Sequence, residues 1–136
     1  IAASMGATAF QKGLGAIHSL SHPVGAVLDT HHGLTNAVVM PYVLKFNERA
    51  IAEKLARLSR YLGIAKPGFA GFLDWVLDLR RTIGIPHTLA ELGVKQDHLA
   101  QFSQMASEDP TAGGNPVKAG VPEMRAMYEA ALTGRL

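Results

Sequence analysis

Gly13-Leu14-Gly15-Ala16-Ile17-His18-Ser19-Leu20-Ser21-His22-Pro23, continuing through Asp29-Thr30-His31-His32-Gly33, gathers four of the protein's six histidines into one apolar stretch. Imidazole is a common neutral metal ligand, and it is also the side chain best suited to moving protons near neutral pH. The stretch therefore reads as part of a metal and proton-transfer site where two helices meet. His18 and His22 stand at i and i+4, on one face of a helix. Pro23 is expected to stop that helix, which would leave His22 at a helix end, facing a cleft. Thr30 is expected to cap the next helix, with His32 in its first turn. A loop folding back between the two helices could then bring the His18 and His32 rings together.

Spacing alone leaves other readings open. His18 and His32 could be a hydrogen-bonded pair of core histidines, and His22 could cap a helix end instead of relaying protons. No Glu lies between His18 and His22, so the pair is not the His-Glu-x-x-His motif of metalloproteases. Two imidazoles are also too few for a catalytic ion, which usually takes three or four protein ligands. Asp29, on the expected loop, could supply an oxygen; otherwise the remaining ligands come from outside the chain. His31 is expected to face solvent, and His87 and His98 are read as surface residues. Gly13-Leu14-Gly15 is not a dinucleotide fingerprint, because no strand precedes it and the third Gly is out of place.

Composition sets the frame around this stretch. A chain of 136 residues, 48% hydrophobic and 18% charged, forms one domain with a sizeable core. The formal net charge is only +2, and its Lys and Arg are scattered, so nucleic acid is not an expected partner. There is no cysteine, which excludes thiolate ligands, cysteine nucleophiles and disulfides and fits a reducing, cytoplasmic setting. No run of roughly 18 apolar residues offers a membrane span.

Apolar spacing predicts helices throughout. Ala2 to Leu20 reads as one buried helix, although Gly6, Gly13 and Gly15 each weaken it by about 1 kcal/mol against Ala. Ala37 to Leu44 reads as a buried helix kinked at Pro41. Asn47 is expected to open a third helix over Glu48–Leu62, with Ile51, Leu55, Leu58 and Leu62 on its apolar stripe. Phe69–Ile83 reads as a fourth, and Thr88-Leu89-Ala90-Glu91 as a capping box on a single turn. Asp97 is expected to cap a short helix to about Ala106. Glu108 to Gly120 reads as loop. A last helix from Pro122 turns Met124, Met127, Tyr128 and Ala131 inward. The expected fold is an all-α bundle of about six helices, with no strands.

Two longer segments carry a family likeness. Phe10 through Ala26, with His-x-x-x-His-Pro-x-Gly at its centre, and Thr30 through Pro41, with His-Gly-x-x-Asn, resemble the iron-containing (group III) alcohol dehydrogenases. Asp109-Pro110, Asn115-Pro116 and the Ala-rich final helix agree, so the likeness covers essentially the whole chain. It implies that residues 1–136 are the C-terminal helical domain of such an enzyme, dehydroquinate synthase-like in fold, without the α/β domain that binds NAD or NADP. It further implies that His18 and His32 are two of three His ligands to Fe²⁺ or Zn²⁺. His22 would be a catalytic proton-relay histidine that also touches the nicotinamide. The remaining His and an Asp ligand would lie upstream of Ile1. Val117 stands where the family often has Arg, which puts that Arg's role in doubt here.

The reaction so implied is hydride transfer between a small alcohol or aldehyde and NAD(P), with this chain alone expected to be inactive. Two alternatives stand beside it. One is a truncated helical module that self-associates, as in a homodimer, without catalysis. The other is a domain of the related maleylacetate reductases.

Overall fold

A computed structural model describes residues 1–136 as six α-helices joined by short turns. They are α1 (Ala2–Phe10), α2 (Ala16–Leu28), α3 (His32–Tyr61), α4 (Phe69–Thr82), α5 (Leu99–Glu108) and α6 (Val121–Thr133). Single 3₁₀ segments occupy Ala90–Leu92, Gln96–His98 and Pro110–Gly114. There is no strand, so the all-α expectation holds. No helix is long and apolar enough to cross a membrane.

The core forms between α2, the first half of α3, α5 and α6. Leu20 and Val24 of α2 meet Val38, Val39 and Tyr42 of α3, Leu99 and Phe102 of α5, and Met124 and Tyr128 of α6. Each such side chain contributes about 1.5–3 kcal/mol when fully removed from water. All four residues expected to turn inward from the last helix, Met124, Met127, Tyr128 and Ala131, are buried. The Tyr128 hydroxyl, inside that core, donates to the Leu20 carbonyl at 2.6 Å. Burial removes the solvent that would stabilise a phenolate and pushes the Tyr128 pKa far upward.

Five boundaries differ from those read in the sequence, each for a local reason. The expected first helix is two: the chain turns at Gly13, whose φ of +94° suits a residue without Cβ, and resumes as α2 at Ala16. Pro23 does not stop α2, which continues to Leu28. Its ring and the neighbouring Val24 are buried, and that packing outweighs one lost backbone hydrogen bond. His31, not Thr30, caps α3, its ring nitrogen accepting from the Leu34 N–H at 3.3 Å. Asn47 opens nothing; it lies buried inside a single α3 running from His32 to Tyr61. The short helix expected from Asp97 begins at Leu99, with Asp97 in the preceding 3₁₀ turn.

α3 and α4 pack against each other with Leu55 and Val76 buried and Ile51, Phe69, Phe72 and Leu73 half-buried, but the outer positions stay open. Leu58, Leu62 and Ile83 are exposed, as are Tyr61 and Trp75. The turn after α4 is pinned by Arg80, which donates to the Pro86 carbonyl at 2.7 Å, and by the Tyr42 hydroxyl, which donates to the His87 carbonyl at 2.8 Å. The Thr88–Glu91 capping box forms as read, with one Glu91 oxygen accepting from the Thr88 N–H and hydroxyl. Those bonds hold the Glu91 carboxyl below its ordinary range.

The segment Pro110–Gly114 crosses close to the start of α2. A Cβ built on Gly114 would stand 2.0 Å from the Leu14 carbonyl oxygen, a backbone atom that cannot swing away. Gly114→Ala should therefore lower the urea-unfolding free energy by about 1–3 kcal/mol, the usual cost of overpacking. Gly6→Ala, in α1 with nothing within 4 Å of the added methyl, should leave it unchanged or higher. Equal effects for the two variants would contradict this packing.

Candidate metal centre

The buried face of α2 decides what its other face presents. Ala16, Leu20 and Val24, spaced four apart, point into the core with no exposed surface. His18 and His22 are offset from that row by two residues, half a turn, and so lie on the open side of the helix. His32 reaches them from the first turn of α3. The ring centroids of His18 and His32 are 5.2 Å apart, those of His22 and His32 5.4 Å, and those of His18 and His22 6.0 Å. The structure thus brings together all three histidines singled out in the sequence. Phe10, at the end of α1, sets its ring edge-on to His18 at 6.5 Å.

Two of the rings converge on one atom. Asn36 Nδ2 lies 3.3 Å from His18 Nε2 and 3.0 Å from His32 Nε2. The amide can donate a hydrogen to each lone pair. Its own Oδ1 is buried and has no partner. Two imidazole nitrogens aimed at a shared point are a donor set suited to divalent iron or zinc. The unpaired amide oxygen beside them means this spot's polar demand is not met by the chain's own groups. The donors present fit a metal ion, as part of its shell. Burial, then the neighbouring His32 and His22, push the His18 pKa down against the opposing pull of Asp109, favouring the neutral form that can ligate.

No group of three or more His, Cys, Asp or Glu side chains is arranged to hold an ion. Asp29 therefore does not complete the shell as the sequence reading allowed. It ends α2 in a left-handed conformation at φ 53° and is exposed. His22 is placed inside α2, not at its end, and faces out because of helical phase and not because of Pro23. His31 is exposed as expected, though its ring is engaged as the α3 cap. His87 is exposed, while His98 is half-buried and stacks on Phe102 at 5.2 Å.

Three polar residues complete the arrangement, and none was assigned a role at the site from sequence. Asp109 Oδ2 lies 2.7 Å from His22 Nδ1. Burial would raise the Asp109 pKa, but hydrogen bonds from Thr111 and His22 outweigh it and hold the carboxyl below its usual range. Asn115 Oδ1 accepts from the Ala16 N–H at 3.2 Å, capping α2 from the far end of the chain. Asn47 and Asn115 exchange two amide hydrogen bonds, both 2.9 Å, which tie α3 to that cap. Asp109-Pro110-Thr111 carries a local signal, since Asp before such a turn commonly caps it. The partners of Asp109 and Asn115, 87 and 99 residues away, leave no local trace.

Comparison with known proteins agrees with the architecture. Residues 1–132 match the family model described as "Fe-containing alcohol dehydrogenase family, C-terminal". Lactaldehyde reductase from Escherichia coli is 32% identical over 125 residues, covering 88% of this chain and 33% of that protein. 4-Hydroxybutyrate dehydrogenase from Cupriavidus necator is 39% identical over 137 residues, covering 94% of this chain and 35% of that protein. A crystal structure of 1,3-propanediol oxidoreductase superposes with a TM-score of 0.81 at 32% identity, over 88% of this chain and 33% of that one. The chain thus spans about a third of the length of the curated relatives it matches.

The Asn47–Asn115 pair yields a direct test of how α2 is held. Asn47 is 4% exposed, so Asn115→Ala strands a buried amide as well as removing the cap. It should cost about 1–3 kcal/mol in urea unfolding. Asn47→Ala combined with Asn115→Ala should cost clearly less than the two single changes summed. Strict additivity would show that the two amides do not act as a pair.

Proposed function

The chain belongs to the Fe-containing alcohol dehydrogenase family, and we propose that residues 1–136 form its C-terminal metal-binding domain. In this reading His18 and His32 are two ligands of a divalent iron or zinc ion, and His22 is the proton-relay group beside a nicotinamide. The reaction class is hydride exchange between a small alcohol or aldehyde and NAD or NADP. The observation that supports it most is the meeting of the His18 and His32 Nε2 atoms, carried by separate helices, on the single Asn36 Nδ2.

When bound, the ion supplies Lewis-acid activation of the substrate oxygen. The chain's own residues do the rest of what is assigned to it. His18 and His32 hold their Nε2 atoms toward a common point. His22, with 39% of its side chain exposed, keeps one edge open to substrate and solvent and moves a proton at Nε2. The other ligands and the dinucleotide site come from outside residues 1–136, so this chain alone is inactive.

A second reading, a helical module that self-associates without catalysis, draws on α1. None of its residues is buried, with Met5 68% and Phe10 60% exposed. An apolar helix face of that kind favours burial against a second copy or another partner.

Cobalt(II) titration and light scattering separate the two. The first reading expects saturable Co²⁺ binding by the chain, weakened about tenfold or more in His18→Ala and in His32→Ala and little changed in His22→Ala. It also expects no alcohol-dependent NAD(P)H formation by the chain alone. A dimer that binds no Co²⁺ favours the module, and measurable turnover would contradict the assignment of ligands to a second segment.

A further inference from the structure

We propose that Asp109 is a positioning residue that fixes the tautomer of His22, making Nε2 the nitrogen that exchanges the proton. The inference rests on the relay role given to His22 above. Its basis is the way both oxygens of one carboxylate are committed. Oδ1 accepts from the Thr111 N–H at 2.8 Å and from the Thr111 hydroxyl at 2.5 Å. Oδ2 is left for His22 Nδ1 at 2.7 Å. A carboxylate only accepts, so Nδ1 must carry the hydrogen, and in neutral imidazole the lone pair then falls on Nε2.

The carboxylate is fixed in place as well as in charge. Asp109 caps the segment Pro110–Gly114, and its side chain is only 14% exposed. The other end of that segment is Asn115, latched to the Ala16 N–H and paired with Asn47. The segment is therefore a strap tied to α2 at two points, one at the helix start and one at His22. The hydrogen bonds that keep Asp109 ionised also keep it accepting.

The proton account balances in the direction of alcohol oxidation. NAD(P)⁺, when bound, would take up the hydride of the substrate carbon, and this chain's part is to receive the proton of the substrate oxygen at His22 Nε2. The resulting imidazolium keeps its Nδ1 hydrogen on Asp109, whose charge stabilises it, and Nε2 then releases the proton to solvent. A carboxylate that selects a histidine tautomer without itself taking the proton is established chemistry in hydrolases.

The test is the ¹⁵N spectrum of the His22 ring in the metal-free 136-residue chain, recorded by long-range ¹H–¹⁵N correlation where the ring is neutral. The wild-type chain should show His22 with hydrogen on Nδ1, favoured over the other tautomer by about tenfold or more, as a charge-assisted hydrogen bond provides. Asp109→Ala should shift His22 toward the Nε2–H form, and Thr111→Val should shift it part of the way. A merely structural Asp109 would change the melting temperature and not this ratio. Hydrogen on Nε2 in the wild type would overturn the proposal, whatever the variants do. So would an unchanged ratio in a folded Asp109→Ala. Failure of Co²⁺ binding would strike the metal reading and leave this spectrum as it is.

Discussion

Two hydrogen bonds from the far end of the chain hold α2 in place. The Tyr128 hydroxyl meets the Leu20 carbonyl in the core, and the Asn115 amide oxygen meets the Ala16 N–H at the helix start. Together with the Leu20 and Val24 side chains they fix both the height and the rotation of the helix. Rotation is the critical variable. A turn of α2 by one residue, about 100°, would carry His18 away from His32 and His22 away from Asp109. The buried face of one helix thus aims a cluster of three imidazoles that themselves contribute little to the core.

The cluster divides into two kinds of group. His18 and His32 share the Asn36 amide through their Nε2 atoms, while His22 is turned to Asp109 through Nδ1. In the proposed function the same side-chain type serves as ligand or as proton carrier according to which nitrogen is engaged and by what. Of the three rings only His22 has a charged partner, the Asp109 carboxylate. The chain's other carboxylates lie elsewhere, which is why no full metal shell is assembled from its own residues.

Much of this was legible in the sequence, and what was not has a consistent cause. Apolar spacing marked the chain as helical throughout, and the inward set Met124, Met127, Tyr128 and Ala131 is buried as read. The i, i+4 placement of His18 and His22 put them on one face, and the two-helix junction brought in His32. Boundaries failed where local preference met tertiary packing. Pro23 should end a helix, but its burial keeps it inside one. Asn47 looks like a cap, yet it spends its amide on Asn115 in mid-helix. Ala2 to Leu20 has one helical composition, and only the positive φ at Gly13 divides it. Asp109 and Asn115 were beyond reach for a different reason: their roles exist only in pairs made across most of the chain.

The central claim is that His18 and His32 together, and not His22, face a metal ion. Zinc-edge X-ray absorption of the chain loaded with one equivalent of Zn²⁺ tests it most directly. The account predicts imidazole scattering from two rings, falling to one in either His18→Ala or His32→Ala and unchanged in His22→Ala. A spectrum without imidazole scattering, or one that loses a ring only when His22 is replaced, would contradict it.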